Sequence, residues 1–114
     1  MTNYSKGSVV LVRFPFTDLT GTKVRPAVVV SAPHQSADVF IVPLTSKTNR
    51  LLAGEFVMQE WQAAGLNVST AVKRGIFTIR QDLIIRKVGS ITSSDAHALE
   101  NSLRAWLELS HASF

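Results

Sequence analysis

The feature that most limits the fold of this chain is a succession of short apolar runs, rich in β-branched residues and each closed by Gly, Pro, Ser, Thr or Asn. Such runs are too short for core helices, and the stiff side chains of Val and Ile suit a pleated surface. Residues 9–14 form the first predicted strand, and residues 17–22, with Asp18 and Gly21, the turn or loop that follows. Arg25 opens the second. Residues 27–31 and 39–44 are almost continuously apolar, as in strands covered on both faces, with Pro33 and the polar stretch to Asp38 between them. Pro43 has no N–H for a ladder bond, so pairing stops or bulges there and the chain leaves into the polar loop 45–50.

Residues 55–58 read as a fourth strand, and residues 60–64 as one helical turn that Gly65 caps. Residues 70–79 and 83–88 complete the β part. From Thr92 the period changes: Ala96, Leu99, Leu103, Trp106 and Leu107 recur every three or four positions and form one apolar stripe on a helix. Ser93, Ser94 and Asp95 offer N-cap oxygens. No repeat or linker divides the 114 residues, a length that buries roughly two thirds of its unfolded surface as one domain. A small twisted sheet or partly closed barrel, covered by a C-terminal helix, is the simplest architecture.

Several function classes drop out. There is no cysteine for thiol catalysis, disulfides or cysteine-ligated zinc. His34, His97 and His111 are widely separated, no Gly-rich phosphate loop or nucleophile elbow is present, and the eight acids form no metal-binding cluster. The expected chemistry therefore uses no metal, no cofactor and no covalent enzyme intermediate. No run approaches the about 18 apolar residues of a membrane span, and MTNYSKGS lacks the apolar core of a secretory signal. These features predict a soluble, cytoplasmic protein without a membrane partner. Twelve Lys and Arg against eight Asp and Glu give a net charge of +4, which attracts a polyanion such as nucleic acid.

The strand ends then become the place to look. Arg25 opens the second strand, and Thr45 with Ser46 closes the third, so antiparallel pairing brings them together. A guanidinium fork holds two phosphate oxygens and a hydroxyl a third, an arrangement suited to charge developing in phosphoryl chemistry. On spacing alone, the same residues serve equally as a solvated strand start and a turn former.

GSVVLVRFPFTDLTGTKVRPAVVVS, FIVPLTS, GEFVMQEWQAAGL and LIIRKVGSI together resemble the PemK/MazF family of toxin ribonucleases from bacterial toxin–antitoxin pairs. The most specific piece is the G-x-V-V-L-V strand, the FPFTD loop and the Arg-Pro that heads an apolar strand. The resemblance covers nearly the whole chain. It implies a mainly antiparallel, barrel-like sheet of the kind shared with CcdB-type toxins, and a homodimer. It also implies metal-independent cleavage of single-stranded RNA at short sequences to 2′,3′-cyclic phosphate and 5′-hydroxyl ends, with neutralisation by a cognate antitoxin. Arg25 matches the family's catalytic arginine and Thr45 its hydroxyl residue, with Ser46 one step away. Lys23, Lys47 and Arg50 lie in nearby segments and suit phosphate contacts, Phe14 and Phe16 suit base stacking, and Gln81 suits a base edge. Two other functions fit the same features: a CcdB-like inhibitor of gyrase, or a non-catalytic RNA-binding regulatory module.

Overall fold

Apolar residues on both faces of three successive strands force the middle of this sheet into the interior. The computed structural model describes residues 4–14, 23–32 and 34–109; the predicted loop 17–22, together with Phe16 and His111, lies outside them. Among the described residues seven strands run in chain order: β1 (Ser8–Phe14), β2 (Lys23–Val29), β3 (Asp38–Thr45), β4 (Phe56–Val57), β5 (Ala71–Val72), β6 (Phe77–Arg80) and β7 (Ile84–Ser90). A short 3-10 turn, Gln81–Leu83, precedes β7, and the helix α1 spans Ser93–Leu107. Every strand pairing is antiparallel. The order β4-β5-β3-β2-β1-β7, with β6 added on β3, gives a twisted sheet that stays open at β4 and β7. This is the mainly antiparallel sheet with a C-terminal helix that the sequence predicts.

Alternation along the strands divides the interior in two. Val10, Val12 and Phe14 of β1 join Ala27, Val29, Val39, Ile41, Ile79 and Ile84 on one face. Val9, Val28, Val42 and Leu44 join Met58, Ala64, Val72 and Leu99 on the other, beneath α1. Each fully buried aliphatic side chain contributes about 1.5–3 kcal/mol of transfer free energy. Both faces are therefore covered along residues 27–29 of β2 and 41–44 of β3, which is why those stretches are continuously apolar, whereas Val24 and Phe40 are 49% exposed.

Four local expectations need correction. The second strand begins at Lys23, so Arg25 and Pro26 lie inside it. The stretch 70–79 is two strands rather than one: β5 ends at Val72, the Lys73 N–H turns to the Pro43 carbonyl at 3.0 Å, and Gly75 has φ +157°. Leu107 is 51% exposed and leaves the apolar stripe that Leu99, Leu103 and Trp106 maintain. The residue capping α1 is Thr92, and its side chain makes no cap bond.

Thr92 and Asp95 serve another purpose. The Thr92 hydroxyl donates to Glu60 Oε1 at 2.6 Å, and the buried Asp95 carboxylate accepts the N–H groups of Gln59 at 2.9 Å and Glu60 at 2.8 Å. Those donors begin the turn 59–65, where the Ala64 N–H reaches Glu60 O and the Leu66 N–H reaches Trp61 O. Gly65 ends it at φ +94°, as a glycine cap should. The turn crosses β7 at backbone contact: a Cβ on Gly65 would lie 2.1 Å from Val88 O, and one on Gly89 2.1 Å from Ala64 O.

Asp95→Ala removes the acceptor of two backbone donors and is expected to cost about 2–3 kcal/mol. Urea unfolding should show a lowered midpoint, with Asp95→Asn, which keeps one acceptor, falling between it and wild type. An unchanged midpoint for Asp95→Ala would show that water satisfies those donors.

Candidate active site

Two prolines open the strand ends. The β2–β3 ladder runs Val29↔Ile41, Val28↔Val42, Ala27↔Pro43, and the Val30 N–H donates to Phe40 O at 2.8 Å. Hydrogen-bonded pairs alternate with non-bonded ones. The next bonded pair would therefore be Pro26 with Leu44, where proline has no N–H to give. The ladder ends at Ala27↔Pro43. One step further on each strand, Arg25 and Thr45 take facing positions on the sheet face that carries Ala27 and Pro43.

The opposite edge of β3 changes partner at the same place. Pairing with β6 ends at Ile41↔Phe77, and pairing with β5 begins at Leu44↔Val72. Pro43 lies in the gap, lacking a donor but accepting from Lys73.

Arg25, Thr45 and Lys47 line two adjoining depressions and form the ridge between them. The first, about 370 Å³, continues over Val24, Ser46, Leu66, Asn67 and Val68. The second, about 400 Å³, continues over Asn49, Arg50, Glu55 and Lys73. The Thr45 Oγ1 accepts the Lys47 N–H at 3.1 Å, which fixes the hydroxyl and leaves its own proton for a ligand. Among the described residues no acid forms an ion pair with Arg25, Lys47, Arg50 or Lys73.

Glu55 is the acid nearest these cations, and backbone groups occupy it. Its Oε2 accepts the Arg74 N–H and its Oε1 the Leu52 N–H, each at 2.7 Å. These bonds, that to Arg74 first, together with the charges of Lys73 and Arg74, hold the carboxyl below its ordinary value of 4.5 against the opposing effect of burial. The carboxylate ties the turn at residue 52 to the segment after β5. Helix α1 grips that turn from behind: Ser102 Oγ donates to Gly54 O at 2.7 Å and Trp106 Nε1 to Ala53 O at 3.0 Å. Gly54, at φ +85°, has no room for a Cβ beside the Trp106 ring.

The other predicted residues divide. Ser46 lines only the first depression and Arg50, at φ 56°, only the second. Lys23 is exposed at the start of β2, opposite Phe14. Phe16 lies outside the described residues. Phe14 is 3% exposed and meets Phe77 edge-on at 6.0 Å, so it packs in the core and offers no stacking face. Gln81 sits apart: its N–H bonds Ala37 O beside the start of β3, whereas Thr45 ends that strand, roughly 23 Å away at a strand's usual rise. Trp61 and Trp106 pack half-buried on the second core cluster. Sequence reasoning did not single out Glu55, although it lies in the GEFVMQEWQAAGL segment, nor Asn67, Val68 or Lys73, which belong to no motif and reach the site through tertiary contacts.

Comparison with known proteins gives the site a context. Residues 5–107 match the family model described as PemK-like, MazF-like toxin of type II toxin–antitoxin systems. Among curated proteins no sequence match was found. An endoribonuclease in complex with its cognate antitoxin, from a mycobacterial species, superposes with a TM-score of 0.74 at 22% identity, covering 97% of this chain and 99% of that one. The Mycobacterium tuberculosis toxin MazF-mt6 gives 0.70 at 20%, over 91% and 99%. MazE–MazF from Deinococcus radiodurans gives 0.77 at 15%, over 96% and 100%. At these identities the likeness is one of fold.

The Glu55 clamp has a pH signature. Because its folded-state value lies below 4.5, its contribution is fully present above the unfolded-state value and is lost as pH falls through the lowered one. Glu55→Gln should be less stable than wild type by about 1 kcal/mol at pH 7, allowing for solvent screening. Thermal unfolding followed from pH 7 to 3 should show the two proteins converging on the acid side. A gap that does not change with pH would contradict the clamp.

Proposed function

Because the chain belongs to the PemK-like, MazF-like family of type II toxin–antitoxin toxins, we propose that it is an endoribonuclease cutting single-stranded RNA at short sequences without a metal. The products are a 2′,3′-cyclic phosphate and a 5′-hydroxyl. The observation that carries this reading is the shared ridge: Arg25 and Thr45 line both depressions, with no described acid neutralising the guanidinium.

In the reaction, the substrate's own 2′-oxygen attacks phosphorus. The 2′-O–P bond forms, the P–O5′ bond breaks, the 2′-hydroxyl proton is released and the 5′-oxygen is protonated. No protein nucleophile is needed, and the enzyme's work is alignment and charge stabilisation. Arg25, which stays protonated, holds two non-bridging oxygens with its planar fork as negative charge develops. Thr45 donates its hydroxyl proton to a non-bridging oxygen, a role that fits its acceptance of the Lys47 N–H. Lys47, Arg50 and Lys73 meet neighbouring phosphates. Ser46 and Lys23 belong to the periphery of the same surface.

The reading includes partners. Residues 1–114 act as one toxin domain, two copies pair as a homodimer, and an acidic antitoxin segment covers the basic site. Among the described residues no helix is long and apolar enough to cross a membrane, and the proposed place of action is the cytoplasm, where the RNA is.

The test is to incubate the protein and its Arg25→Ala form with a long mixed-sequence RNA in excess EDTA and to map the new ends. Cyclic-phosphate and 5′-hydroxyl ends at a recurring short sequence, abolished in the variant, are expected; intact RNA would overturn the reading. Arg25→Lys keeps the charge but loses the fork, and should lower the rate about 100-fold or more with the fold intact. Thr45→Ala should reduce rate more than affinity. Single-turnover kinetics in which only Ser46→Ala does so would move the hydroxyl role to Ser46.

A further inference from the structure

The two depressions that meet at Arg25 and Thr45 are of similar size but opposite character. Beyond the shared ridge, the 400 Å³ side adds the cations Arg50 and Lys73 and one acid, Glu55, whose two oxygens are taken by backbone N–H groups. The 370 Å³ side adds no charge: its distinctive walls are Val24, Leu66 and Val68, with Ser46 and Asn67 among them. A phosphate gains from the first environment and only loses water in the second. A nucleobase has the reverse preference, since its faces are apolar and its edge offers neutral donors and acceptors. Resting on the ribonuclease reading above, we infer that the uncharged depression holds one unpaired nucleobase next to the scissile phosphate and that Asn67 reads its edge.

The wall is built to do this. Val24 and Val68 are 49% and 55% exposed, and they lie on different segments that border one cavity. Their positions are fixed. Val24 lies within β2, opposite Arg13. The buried Thr70 hydroxyl donates to Val68 O at 2.8 Å, the Leu66 N–H donates to Trp61 O at 3.0 Å, and the Thr70 carbonyl accepts the Met58 N–H at 2.9 Å. The segment 66–70 is thus held at both ends, and Val68 projects from it without the freedom of a loose loop. A cavity of about 370 Å³ is at the small end of ligand pockets, enough for one base with its sugar.

Asn67 is the one residue on this side whose side chain presents a donor and an acceptor side by side. That pair matches a base edge carrying an acceptor next to an amino group, as adenine does at N7 and N6. Lys47 on the ridge and Ser46 beside it bind phosphate or sugar and give no such discrimination. Successive phosphates then run over the cationic side, and the base that defines the cleavage sequence turns into the neutral one.

The experiment separates reading from cutting. A random-sequence 2′-fluoro RNA library, which lacks the attacking hydroxyl, is passed over wild type, Asn67→Ala and Lys73→Ala, each with its fold checked by circular dichroism, and the retained sequences are counted. Wild type should enrich one base at one position. Asn67→Ala should weaken that enrichment roughly tenfold or more and leave the other positions alone. Lys73→Ala should weaken binding to all sequences alike and flatten the salt dependence. Enrichment unchanged in Asn67→Ala, or none in wild type, would overturn the inference. Ordinary RNA run in parallel tests the activity itself: cleavage without Asn67-dependent enrichment sinks only the base pocket, and Asn67-dependent enrichment without cleavage sinks only the ribonuclease reading.

Discussion

The arrangement of the site depends on two missing hydrogen-bond donors. Pro26 stands where the β2–β3 ladder would form its next bonded pair, and Pro43 where β3 passes from β6 to β5. An unbroken ladder would have zipped the ends of these strands together and buried their backbone groups against one another. Instead, β2–β3 pairing stops at Ala27↔Pro43, two residues short of Arg25 and Thr45, which are held from their other sides opposite Val12 of β1 and Ala71 of β5. The sheet supplies rigidity up to that line, and open surface begins beyond it. A functional side chain one or two residues past the end of a stiff ladder is held firmly and is still accessible.

Electrostatics at this opening follow from where the acid goes. Glu55 sits among cations, and an ion pair with one of them would have cancelled part of the positive charge of the site. Backbone N–H groups from Leu52 and Arg74 take both of its oxygens instead. One carboxylate thereby fastens two segments and leaves Arg25, Lys47, Arg50 and Lys73 without an acidic partner among the described residues. Asp95 repeats the device in the interior, with its two oxygens committed to Gln59 and Glu60. In both places an acid joins segments distant in sequence through main-chain donors, which do not vary with residue type.

Much of this was legible in the sequence because it is local. β-Branched runs located the long strands, the period change at Thr92 located the helix, and Pro43 marked a break in pairing from its own chemistry, although β3 runs on to Thr45 against β5. The Arg25–Thr45 pairing was legible through strand order alone. What was not legible is tertiary. The stretch 70–79 has the composition of one strand, and it breaks because Pro43 has no N–H to return to Lys73 and the register against β3 shifts by two between Leu44↔Val72 and Ile41↔Phe77. Asp95 has the position of a cap residue, yet it turns to a partner 35 residues earlier in the chain. Asn67 and Val68 belong to no pattern, and only the turn fastened by Trp61, Met58 and Thr70 brings them to the ridge. Gln81 failed to join them because adjacency to a strand says nothing about which end of the sheet it occupies.

The grip of α1 on the turn at Ala53 and Gly54 also has a meaning in time. Ribosomes make the chain from its N-terminus, so Arg25 and Thr45 emerge long before Ser102 and Trp106 exist. Until those two residues arrive, the turn ending in Glu55 has no anchor behind it, and the cationic depression lacks one of its fixed walls. The order of synthesis therefore makes the finished site a property of the completed polypeptide. A chain interrupted before its last helix carries Arg25 and Thr45 without the frame around them.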